Sequence, residues 1–311
     1  MPEHINRRSF VTNTAASAAG ILLGTNLVSF SAKKNPDISL PEKRKEGLMA
    51  EVMKYRKIDS HAHVEAEAKI VSERIDVAAR LGIGTLMMSR PMAPGSKGLP
   101  EEFIQCNNQV LKYAKQYPDK IIGQMTLNPT YLKESLEEIK RCIDNGMVGM
   151  KLYNHVKIND PLFYPIIEKF IDLKMIILMH TAIGKSRVIL DAREPPNISL
   201  PENFVDIAKR YPEAMFQFAH IGGGIDWEYA CKALAHSPNV FVDVSGSNNE
   251  ATMIDFALKY IGENRLLFGC DSSFYQGVGH VIAANLTESQ RNKIFFENYN
   301  AILKKSGKNV D

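Results

Sequence analysis

The 311-residue sequence has few cysteines and no cysteine motif. Cys106, Cys142, Cys231 and Cys270 lie too far apart for a Cys-x-x-Cys pair, which excludes a cysteine-built zinc knuckle or dithiol redox centre. The first three fall in helical patterns and read as small buried or half-buried hydrophobes. An even cysteine count permits disulfides without asserting any. Long apolar runs are also missing. The nearest approach, Ala15 to Val28, is broken by Gly20, Gly24, Thr25 and Asn26, too short and too polar to cross a bilayer. There is no internal repeat with a period of roughly 20–50 residues, no heptad pattern and no low-complexity tract, so solenoid and fibrous architectures drop out. Excess charge is missing too. The net +3 arises in the first 46 residues, which hold seven Lys/Arg against four Asp/Glu; the remainder holds 31 of each. A neutral body argues against nucleic acid or an acidic membrane surface as partner.

The N-terminal segment reads differently from the rest. Asn6-Arg7-Arg8-Ser9-Phe10-Val11 precedes the mildly apolar stretch, and a polar stretch with two prolines, Lys33 to Glu46, follows it. Paired arginines ahead of such a stretch predict a twin-arginine export signal over residues 1–32, with cleavage near Ser31 or Ala32, and a periplasmic destination. Residues 33–50 are then a linker, and residues 51–311 a single domain.

From residue 55 onward, apolar strand-like runs alternate with amphipathic helical patterns. Strands are predicted at 55–60, 84–89, 121–127, 148–153, 175–179, 215–219, 240–244 and 266–269. The run at 175–179 is continuously apolar, as a strand covered on both faces must be. Helical spacing shows in Leu132, Leu136, Ile139 and Ile143, and Gly146 stops that helix. Thr287-Glu288-Ser289-Gln290 is a capping box that opens the last helix. Eight β/α units over this length predict a closed (β/α)8 TIM barrel of the α/β class. An open doubly wound sheet would carry a Gly-rich turn after its first strand; here that place holds His61-Ala62-His63.

In such a barrel the chemistry sits at the C-terminal strand ends. Strand one ends in His61 and His63, whose alternate positions turn both rings the same way. Strand four ends in Lys151, strand five in His180, strand six in His220 and strand eight in Asp271. Four imidazoles and a carboxylate converging on one mouth suit Zn2+ or another borderline ion, Mn2+ included. Such an ion acidifies a bound water and polarises a carbonyl.

These stretches resemble the amidohydrolase superfamily, in particular its amidohydrolase-related branch of metal-dependent decarboxylases and lactonases. The resemblance rests on Ile58–His63, Gly149–Leu152, Leu178–Thr181, Ala219–Gly223, Asn239–Gly246, Leu267–Asp271 and Glu297–Leu303. It implies one metal ion held by His61, His63, His180 and Asp271, with Asp271 also acting as a base. It implies His220 beside the metal-bound water and a homodimeric assembly. Lys151 is expected unmodified, contacting a small-molecule substrate or the hydrogen bonds of the site. Many relatives carry Lys-Leu-His-Pro after strand four; here Lys151-Leu152-Tyr153-Asn154-His155 stands there. Two reactions share the ligand set: hydrolysis of a lactone, ester or amide, and decarboxylation of an unsaturated or aromatic acid. The export signal tilts the reading towards a hydrolase.

Overall fold

The computed structural model describes residues 47–93, 95–181, 197–221, 227–246, 250 and 252–311. The expected export signal, most of the linker, Lys185, Arg187 and Arg193, and the glycines Gly222, Gly223 and Gly224 lie outside the described residues.

Eight parallel strands follow in chain order: β1 (Lys57–His63), β2 (Ile83–Ser89), β3 (Ile121–Gly123), β4 (Met150–Leu152), β5 (Ile176–Met179), β6 (Met215–Phe218), β7 (Val240–Asp243) and β8 (Leu266–Leu267). Ladders join β1-β2-β3 and β4 through β8. A few backbone hydrogen bonds bridge each seam. Met125 N donates to Gly149 O at 3.1 Å and Lys151 N to Met125 O at 2.9 Å, tying β3 to β4. Ser60 N donates to Phe268 O at 2.9 Å, tying β8 to β1. β1 and β2 each run one residue longer than predicted, while β3 through β8 are shorter, because their ladders stop where the chain turns out of the barrel to form the mouth.

Helices cover the outer face. These are α1 (Leu48–Met53), α2 (Ala68–Arg80), α3 (Pro100–Gln116), α4 (Leu132–Asp144), α5 (Tyr164–Asp172), α6 (Pro201–Arg210), α7 (Trp227–Leu234), α8 (Met253–Ile261), α9 (Phe274–Ala283), α10 (Glu288–Asn292) and α11 (Asn298–Lys305). Strand residues such as Ile177, Phe216 and Leu266 are fully buried, each contributing about 1.5–3 kcal/mol by leaving water.

Two helices, α1 and α9, have no counterpart in the sequence reading. In α9, Gly277 and Gly279 weaken the helical pattern. Gly277 is there for packing: a Cβ at that position would fall 2.8 Å from Cys270 Sγ. The capping box at Thr287 opens α10 as expected, with Thr287 Oγ1 accepting from Gln290 N at 3.2 Å. A π-helical stretch, Lys293–Glu297, then separates α10 from α11. Ile294 O within it accepts from Phe268 N at 3.0 Å, and the Asn298 amide donates to Leu266 O at 2.8 Å. The C-terminal helices therefore pin the two-residue β8, and with it the segment that carries Asp271.

All four cysteines are free and buried. No described helix is long and apolar enough to cross a membrane.

Candidate metal centre

The closing seam of the barrel builds the site. Asp271 N donates to His61 O at 2.7 Å, which sets the end of β8 directly beside the end of β1. Gly269 makes this approach feasible. A Cβ there would stand 3.1 Å from both His61 Cβ and Asp243 Cβ, tighter than ordinary packing tolerates. Past the seam the backbone turns into the left-handed region at Asp271 (φ 46°) and Ser272 (φ 68°), and His220 does the same after β6 (φ 62°). For residues other than glycine this costs roughly 1–2 kcal/mol each, so hydrogen bonds must hold them. His220 N donates to Asp243 Oδ1 at 3.1 Å.

Five of the six sequence-derived residues meet through short contacts. His63 Nε2 lies 2.9 Å from Asp271 Oδ1, and His61 Nε2 lies 3.7 Å from the same oxygen. His220 Nδ1 is 3.6 Å from Asp271 Oδ2. Lys151 Nζ, fully buried, reaches His61 Nε2 at 2.9 Å. The sixth, His180, joins through His220: its Nδ1 is 3.0 Å from His220 Nε2, and its ring packs 5.8 Å from that of Tyr153.

The donor chemistry fits a divalent ion. One ligand atom each from His61, His63 and Asp271 lie within 4.8 Å of one another, and the same holds for His61, His220 and Asp243. Imidazole and carboxylate donors at this spacing are what a borderline ion takes. The outward nitrogens are held as metal-binding imidazoles require. His61 Nδ1 meets Asp243 Oδ2 at 3.1 Å, and His63 Nδ1 meets Ser89 Oγ at 3.1 Å.

The charges agree with this use. Burial, and then the Lys151 ammonium, bring the His61 imidazole down to about 4, so it is neutral and has a lone pair to give at neutral pH. Burial likewise holds His220 well below its ordinary value. Burial alone would raise the Asp271 carboxyl, but His61, the His63 hydrogen bond and His220 outweigh it and leave it well below the usual range. The same contest, decided by His61, His220 and Ser245, keeps Asp243 ionised.

A cavity of about 660 Å³ opens beside the cluster. His180 and Tyr153 form its inner wall, Arg90 and Glu65 add charge, and Met92 and Pro91 supply apolar surface. Tyr153 sits between two of the expected ligands, its ring 6.4 Å from that of His63, and burial drives its phenol well above the ordinary value. His155 also lines the cavity, with Nε2 held at 3.3 Å by Ser96 O.

Sequence reasoning overlooked Asp243, Ser245 and Arg90. Each had a signal. Asp243 closes the apolar strand β7 as Asp271 follows β8, and Ser89-Arg90 closes β2.

Known proteins bear out the family. A family model described as "Amidohydrolase" matches residues 58–298. A curated relative, 2-amino-3-carboxymuconate-6-semialdehyde decarboxylase of Dictyostelium discoideum, is 22% identical over 216 residues; the match covers 59% of this chain and 59% of that protein's length. Among solved structures, 2,6-dihydroxybenzoate decarboxylase from Rhizobium superposes with a TM-score of 0.65 at 16% identity, covering 80% of this chain and 99% of the other. A dihydroxybenzoic acid decarboxylase from Polaromonas sp. JS666, with bound manganese and the inhibitor 2-nitroresorcinol, gives 0.62 at 17% identity, covering 80% and 97%. With the matched region spanning most of the barrel and every strand end that carries the cluster, the chain belongs to the amidohydrolase family of metal-dependent enzymes.

Proposed function

We propose that this protein is a metal-dependent carbon–carbon lyase that removes the carboxyl group of a small aromatic or unsaturated acid. The observation that carries this reading is Arg90, a guanidinium on the wall of the same cavity that His180 and Tyr153 line. A decarboxylase needs a cationic clamp for a carboxylate beside its metal, and arginine binds carboxylates through paired donors. The cavity volume suits a ring-sized acid. The three relatives reported above are decarboxylases by name, and they shift the balance from the hydrolase expected on the sequence to the lyase.

His61, His63 and Asp271 would hold the ion, with His180 or His220 completing the set. Zinc and manganese both suit these donors. When bound, the ion supplies Lewis-acid polarisation of a substrate oxygen, which draws electrons away from the carbon that loses CO2. Arg90 fixes the carboxylate end of the substrate. The apolar wall at Pro91 and Met92 packs against its carbon skeleton and excludes water. When the carbon–carbon bond breaks, its electron pair stays on the substrate carbon, CO2 departs, and that carbon takes up one proton. His180 lines the cavity and meets His220 at 3.0 Å, so this pair is placed to hand the proton on. Asp271, ionised at neutral pH, collects a proton from a substrate hydroxyl or from solvent.

The test is a panel of hydroxybenzoates and unsaturated dicarboxylic acids run beside lactones, esters and amides, with the protein loaded with Zn2+ or Mn2+. The lyase reading expects CO2 release from a member of the first group. Acid release from the second group, with no CO2 from the first, restores the hydrolase.

A further inference from the structure

Asp243 is fully buried and lies at the end of β7, yet its carboxylate reaches three strand ends. Oδ2 accepts from the Gln217 amide at 2.9 Å and meets His61 Nδ1 at 3.1 Å. Oδ1 accepts from the backbone of His220 and of Ser245, each at 3.1 Å, and from Ser245 Oγ at 2.5 Å. We infer that Asp243 is a positioning residue that decides on which nitrogen three imidazoles, those of His61, His220 and His180, carry their proton.

The argument is donor and acceptor counting. An ionised carboxylate can only accept, so the proton on His61 must sit on Nδ1, facing Asp243. The other side of the ring agrees. His61 Nε2 lies 2.9 Å from the Lys151 ammonium, a group that can only donate, so Nε2 carries the lone pair.

The second branch runs through Ser245. Its hydroxyl spends its single proton on Asp243, so towards His220 it can only accept. His220 Nδ1, 3.0 Å from Ser245 Oγ, is therefore the protonated nitrogen; Asp271 Oδ2 at 3.6 Å is a further acceptor on the same side. This leaves a lone pair on His220 Nε2. His180 Nδ1, 3.0 Å away, must then be the donor, and the lone pair of His180 is left on Nε2. One carboxylate thus leaves His61 and His180, two of the four expected ligands, each with a lone pair at Nε2. A metal ion requires neutral imidazoles with a free lone pair. His63 lies outside this wiring. Its Nε2 faces the Asp271 carboxylate at 2.9 Å and its Nδ1 faces Ser89 Oγ, so in metal-free protein it is the opposite tautomer and serves as an internal control.

The inference rests on the metal-centre reading and is independent of which bond the enzyme breaks. It is tested on full-length, metal-free protein labelled with 15N-histidine, by long-range 1H–15N correlation near pH 7.5. The expected spectrum shows Nδ1–H for His61, His180 and His220 and Nε2–H for His63. In Ser245→Ala, His220 and His180 should lose the single tautomer while His61 keeps it. In Asp243→Asn all three should lose it, and the dissociation constant for Zn2+, read by chelator competition, should rise about 10–100-fold. Nε2–H at His61 or His180 in the unaltered protein overturns the inference. So does a Ser245→Ala spectrum that leaves His220 and His180 unchanged. If Asp243→Asn does not fold, Ser245→Ala carries the test alone. A protein with the expected spectrum but no CO2 release would separate this inference from the lyase reading.

Discussion

The Lys151 ammonium lies 2.9 Å from His61 Nε2, on the same lone pair that a metal ion at this centre takes. Lysine and metal therefore compete. A buried cation beside a divalent one is also repelled, and little water is present to screen it. Lys151→Met keeps the volume and removes the charge. It is expected to tighten Zn2+ binding about tenfold, or roughly 1.4 kcal/mol, as read by chelator competition, and to lower turnover. Weaker metal binding in this variant would instead make Lys151 a supporter of the ion.

Asp271→Asn removes the carboxylate that His63, His61 and His220 face. Asparagine tolerates the left-handed backbone at this position, so the fold should survive. The expected outcome is metal binding weakened by more than about a hundredfold and turnover lowered by roughly a thousandfold. Metal analysis after dialysis, beside a steady-state assay, checks both. Full metal occupancy in the variant would remove Asp271 from the ligand set.

Asp59 gives a pH prediction. Burial pushes its carboxyl up to about 7, against the hydrogen bonds from the backbone of His61 and Cys270 that pull it down. A carboxyl whose folded value is raised above about 4 keeps its proton in the folded state while the unfolded chain loses it, so the folded state is weakened as pH climbs from about 4 to about 7 and levels off above that. Asp59→Asn removes this penalty and retains the Oδ1 acceptor. The stability difference between variant and parent should therefore shift in favour of the variant by about 2 kcal/mol between pH 5.5 and pH 8.5, measured by urea unfolding of metal-free protein. A pH-independent difference would show that Asp59 titrates normally.

Arg90→Met should leave metal content unchanged, because Arg90 lies on the cavity wall and meets the β1 end only through the Val64 carbonyl, 3.0 Å from its Nη1. The loss falls on substrate binding. A drop in kcat/KM of about a hundredfold, near 2.7 kcal/mol and expressed mainly in KM, is the expected result for a removed carboxylate clamp. An unchanged KM for the acid would point to another cationic group.

Much of the site was legible before folding, because a parallel barrel puts chemistry at strand ends and those ends can be found from apolar runs. His61, His63, His180, His220 and Asp271 each follow such a run, and period-two alternation alone sets His61 and His63 on one side. Asp243 is as visible as Asp271 in the same sense, but nothing local marks it as the carboxylate that holds two histidines. Its partners come from β1 and β6, some 182 and 23 positions away. Arg90 and Tyr153 read as ordinary strand-end residues until the cavity gives them a common surface.

The sequence by itself determined the class of protein. Its alternating β/α pattern, its neutral body and its histidines and aspartate are local properties, fixed by periodicity and side-chain chemistry. Only the tertiary structure decided the roles. Closing β8 onto β1 brings Asp271 against His63, threads Gly269 between His61 and Asp243, and turns Lys151 inward to His61. Hydrogen bonds depend on distances of tenths of an ångström between groups far apart in the chain, and those distances exist only once the barrel has closed.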